Sequence, residues 1–100
     1  MNAVIYRYAF SETLPFEEVE ASFLMAIFAA ESLHGEALVR LEAAHAMDRQ
    51  KHSCVIDATT TVGQDLNRLF VGFLNREFGP DAFRIERMTE PIARTATAAA

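Results

Sequence analysis

Residues 3 to 10, Ala-Val-Ile-Tyr-Arg-Tyr-Ala-Phe, mix β-branched and aromatic side chains in the composition of a strand. Ser11-Glu12-Thr13-Leu14-Pro15 punctuates the run. Pro15 suits a first helical turn, where its missing N–H costs nothing, and Glu17, Glu18 and Glu20 face the positive end of the helix dipole. The pattern predicts a helix to about Leu33 with Gly35 as its left-handed stop, and Phe16, Val19, Phe23, Ile27 and Ala30 as its core stripe.

From Ala37 to Met47, Val39, Leu41 and Ala43 alternate with Arg40, Glu42 and Ala44, which predicts a strand. Residues 52 to 59 form its hairpin partner, with Cys54, Ile56 and Ala58 on one face. The two alternations agree only if the loop holds an even number of residues, since an odd slip turns one strand inside out. A four-residue loop sets Glu42 opposite Asp57 and His45 opposite Cys54; a two-residue loop sets Arg40 opposite Asp57 and His45 opposite His52. Pattern alone does not choose between them. Thr61-Val62-Gly63-Gln64 has the form of a capping box. It opens a second helix in which Leu66, Leu69, Phe70, Phe73 and Phe78 recur at helical spacing up to Gly79-Pro80. Gly72 within it points to close packing on the sheet. Asp81 to Met88 reads as a last strand, with Phe83 and Ile85 alternating with Arg84 and Glu86, and Thr89 to Ala100 as a flexible tail. The order is β-α-β-β-α-β within one domain, residues 1–88. It is the ferredoxin-like α+β arrangement, a four-stranded antiparallel sheet with two helices on one face.

The chain has 100 residues, 51% of them hydrophobic, with a formal charge of -5. Eight acids fall between residues 12 and 48 against Arg40 alone. That balance disfavours a nucleic-acid surface. RNA-recognition domains stack bases on sheet aromatics; here, turning Tyr6 and Tyr8 outward would drive Arg7 into the core, so both tyrosines are expected to face the helices. One cysteine, Cys54, and no secretory pattern suggest a reducing cytoplasm. The longest uncharged run, Ala21 to Ala30, rises only about 15 Å as a helix, too little to cross a bilayer. No membrane partner is expected.

Candidate chemistry is sparse. The acylphosphatase family places a glycine-rich, arginine-bearing phosphate loop after its first strand; residues 11 to 15 are acidic and lack glycine. Thr59-Thr60-Thr61 suits capping better than anion binding. His45, His52 and Cys54 lie near one hairpin but lack metal-ligand spacing, and Cys54 points to the core, where a thiol is inert. His34 favours the negative end of the first helix. No catalytic residue, metal or cofactor is assigned.

Two surfaces remain. Away from the helices, the sheet is expected to display Arg7, Arg40, Asp57 and Arg84 among small apolar side chains, for a protein partner or a small acidic ligand. On the first helix, Leu24 and Phe28 project about 100 to 140° from Phe23, and Met25 lies nearly opposite it. A surface helix normally has a polar back. Ala21, Leu24, Met25 and Phe28 therefore form a second apolar ridge, a contact surface. The expected function is a non-catalytic assembly module that self-associates or docks on a partner protein. The alternative is a small-molecule site or small enzyme on the open sheet, with Asp57 or His45 as acid–base group.

Overall fold

Three helices accompany the four-stranded antiparallel sheet in a computed structural model that describes residues 3–88. The elements are β1 (Ile5–Phe10), α1 (Phe16–His34), α2 (Glu36–Glu42), β2 (Ala44–Asp48), β3 (Ser53–Asp57), α3 (Thr61–Phe78) and β4 (Phe83–Met88). The sheet order is β2-β3-β1-β4, which leaves β2 and β4 at the edges. The tail from Thr89 to Ala100 lies outside the described residues.

The core forms on one face of the sheet. Tyr8, Phe10, Cys54 and Ile56 enter it from β1 and β3, and Phe16, Val19, Phe23, Leu66, Phe70 and Leu74 close it from α1 and α3. Tyr6 packs against the same cluster, so both tyrosines face the helices, and the Tyr8 hydroxyl donates to Oδ1 of Asn67 on α3. Phe70 sits at the centre, its ring 5.1 Å from those of Tyr8 and Phe23. Ser22, Ala26 and Ala30 are the small buried residues of α1, which packs against α3. The two helices are tied at one end by His34, whose Nε2 lies 2.8 Å from Asp65 Oδ2.

The first departure from the sequence expectation is α2. Residues 36 to 42 form a helix, not the start of a strand, and β2 begins only at Ala44. Glu-Ala-Leu-Val-Arg-Leu-Glu is composed of good helix formers, and Glu36 and Arg40 pair at i,i+4 across 3.7 Å. Gly35, at φ 90°, makes the turn between α1 and α2. Only Val39 of α2 is buried.

The second departure is the hairpin register. Its loop is Arg49–His52, even in number as the alternation requires, but Asp48 pairs with Ser53, Ala44 with Asp57 and His45 with Ile56. The turn explains the shift. The Asp48 carboxylate accepts from Lys51 N at 3.0 Å, and His52 leaves the strand with φ 53°. Its imidazole lies 2.9 Å from the Leu14 carbonyl oxygen, which holds it there.

The third concerns the start of α3 and its glycines. Thr60, one residue earlier than expected, is the cap: its Oγ1 accepts from Gly63 N at 3.0 Å and donates to Glu42 O at 3.0 Å. Gly63 is the close approach, since a Cβ there would run into the Asp57 carbonyl oxygen. Gly72 is exposed and a Cβ there would meet nothing, so it does not mark packing on the sheet.

Candidate functional site

Leu24 and Phe28 lie on the flank of α1 that the core stripe leaves uncovered, and α2 with β2 forms the facing wall. Together they enclose an open groove of about 640 Å³, lined from α1 by Phe23, Leu24, Ile27 and Phe28, and from the other side by Val39, Ala43, His45 and Met47. Ile27, expected in the core stripe, is only half-buried and lines this groove.

Leu24 is 51% exposed, Met25 54% and Phe28 56%; Ala21 is exposed beside them. Two further large apolar side chains of α1 and α2 stand in water, although neither lines the groove. Leu33, at the end of α1, is 65% exposed and Leu41 on α2 is 82% exposed. Reading Glu36–Glu42 as a helix would have revealed Leu41, because a short helix with one buried position must leave its other apolar side chains in water.

Charge at the groove is local and mostly paired. Glu20 meets Arg49 at 2.6 Å, and Arg49 also lies 3.8 Å from Glu17 and 5.6 Å from the Phe16 ring centroid. Arg40 leans on Glu36. Glu31 forms no ion pair among the described residues. The His45 residue is exposed overall, but its imidazole packs 4.5 Å from the Phe23 ring, and this partial burial pushes its pKa below the usual histidine value. His45 is thus a polar tip in an otherwise apolar wall. The arrangement can bury apolar surface and offer rim charges for orientation.

The residues expected on the open sheet face are not gathered. Arg7 and Arg84 border a hollow of about 230 Å³ with Ala9, Ile85 and Glu86. Arg7 pairs with Glu86 at 3.8 Å rather than with Asp57. Asp57 sits opposite Ile5 in the register, two residues along from Arg7, and its Oδ1 accepts from Thr59 N. Arg40 is on α2, off the sheet altogether. His45, His52 and Cys54 are likewise separated: His45 faces Phe23, His52 binds Leu14 O, and Cys54 is buried opposite Met47. Burial raises the Cys54 thiol to about 12. Among the described residues, no cluster of three His, Cys, Asp or Glu side chains is placed to hold a metal.

No protein-family model, curated protein or solved structure matches this chain. Among the described residues, no single helix is long and apolar enough to cross a membrane; α1 and α2 reach that length and composition only together, and they are bent by 115°.

Proposed function

We propose that this domain is a non-catalytic assembly module that self-associates or docks on another protein through the apolar flank of α1. The observation that carries the reading is the exposure of Leu24, Met25 and Phe28 along one helix, with Leu24 and Phe28 lining a groove shared with β2. Scattered apolar residues on a small domain need no account; a contiguous ridge running into a groove does. The fold reading that goes with it is ferredoxin-like, with α2 inserted before β2; the central position of β1 and β3 supports it. A reducing, cytoplasmic setting is supported by the single buried thiol.

A small acidic ligand on the open sheet, with or without catalysis, is the second reading. It is favoured by the hollow between Arg7 and Arg84, and weakened because Arg7 is already met by Glu86. Thermal unfolding separates the two. Assembly predicts a Tm that rises with protein concentration alone and stops rising in Leu24→Glu/Phe28→Glu. A Tm indifferent to concentration and to candidate protein partners, but raised by small anions and lost with Arg7→Ala, would reverse the preference.

A further inference from the structure

We propose that a second copy of this chain covers the groove, joined through the free edge of β2 so that the two sheets run on as one. The inference rests on the assembly reading and adds the partner and the seam.

The two edges of this sheet are treated differently by the sequence. β4 carries Arg84, Glu86 and Arg87, the kind of charged edge that resists pairing with another chain. β2 offers Ala44, His45, Ala46 and Met47, with neither a charge nor a proline before Asp48, and its first three residues are exposed. Among the described residues, no strand lies beside its outer N–H and C=O groups. An unguarded edge is an open template for one more strand.

The groove begins at that same edge. His45 and Met47 of β2 form one wall, and Leu24 and Phe28 of α1 form the other. A strand added to β2 thus arrives with its own α1 flank beside this one, so ladder hydrogen bonds and apolar burial are satisfied by one docking event. Leu24, Met25 and Phe28 each expose about half of their surface. A stable dimer buries roughly 800 Å² on each partner, so the seam needs both this apolar flank and the β2 edge.

Two features select a second copy over a foreign strand. Antiparallel pairing of a strand with itself is compatible with a two-fold axis, which needs only one self-complementary patch. The rim is complementary in the same sense, with Glu31 on α1 and, on the opposite wall, Arg40 of α2, whose only ion pair among the described residues is the exposed one with Glu36. A two-fold can bring Arg40 to the partner's Glu31. Glu20 is already neutralised by Arg49, which removes one source of repulsion across the seam.

Backbone hydrogen exchange at two concentrations tests the seam on the unaltered protein. Between about 1 and 200 µM, exchange of β2 amides should slow at least tenfold while β4 amides stay unchanged. Ala46→Lys, on an exposed position of the edge, should weaken association at least tenfold with an unchanged far-ultraviolet spectrum. Association with unaltered β2 exchange overturns the seam and leaves assembly through α1 standing. Protection confined to β4 also overturns it. A monomer at every concentration overturns the second copy as occupant and restricts the assembly reading to a different protein.

Discussion

The imidazole of His45 lies 4.5 Å from the ring of Phe23, tilted by 61°, and this contact is where the edge strand meets α1. One is on the outermost strand and the other in the core stripe, so the base of the groove is continuous with the hydrophobic core. Anything seated there rests on the same side chains that hold α1 to the sheet.

This contact gives the fold a pH dependence. Burial lowers the His45 pKa, so below the ordinary value near 6.5 the unfolded chain binds a proton that the folded one resists. The associated stability is complete above that pH and is lost as pH falls through it toward the lowered value. Glu20 and Glu31 from α1 and Arg40 from α2 are the charged groups that share the groove with His45, and the shift at His45 comes from burial. Urea unfolding at fixed low protein concentration, at pH 7.5 and pH 5.5, should show a larger loss in the wild type than in His45→Gln. Equal losses would remove His45 from the account.

Two glycines of α3 should respond to alanine in opposite directions. Gly63→Ala forces a Cβ against the Asp57 carbonyl and should cost about 1 to 3 kcal/mol. Gly72→Ala enters open space on an exposed helical position and should stabilise by about 0.5 to 1 kcal/mol. Chemical denaturation of both variants checks the pair, and the difference in sign is the point.

The Cys54 thiol should be inert in the native state. It is buried and its pKa is raised to about 12, so the thiolate is scarce and shielded. Titration with an aromatic disulfide reagent at pH 8 should give no fast reaction in buffer and one thiol per chain in denaturant. A fast native reaction would mean that β3 opens far more readily than its place inside the sheet implies.

Tyr8→Phe tests the polar tie between β1 and α3. It leaves Asn67 Oδ1 without the hydroxyl that it accepts from, at a cost of about 1 to 2 kcal/mol. The Asn67→Ala/Tyr8→Phe double variant should lose less than the sum of the two single changes.

Much of this architecture was legible because period and punctuation agree. Phe16, Val19 and Phe23 recur as a helix requires, Gly35 and Gly79 terminate helices at φ 90° and 85°, and the Arg7 argument turned Tyr6 and Tyr8 inward. The failures come from short segments in which tertiary contacts decide. Val39, Leu41 and Ala43 alternate like a strand, yet Val39 turns into the core while Leu41 stays in water, so the pattern imitated a strand without the burial that would make one. The hairpin register turned on His52 adopting a left-handed conformation, which composition seldom signals for histidine. The apolar ridge was readable from helical geometry, whereas the groove was not, since its far wall is made by the helix that the alternation hid.

Sedimentation velocity over about 1 to 200 µM, on the wild type and on Leu24→Glu/Phe28→Glu, tests the central claim most directly. The wild type should pass from monomer to a larger species as concentration rises, and the variant should remain a folded monomer throughout. If both sediment identically as the same species across the range, the exposed flank of α1 is not the surface through which this protein associates with itself.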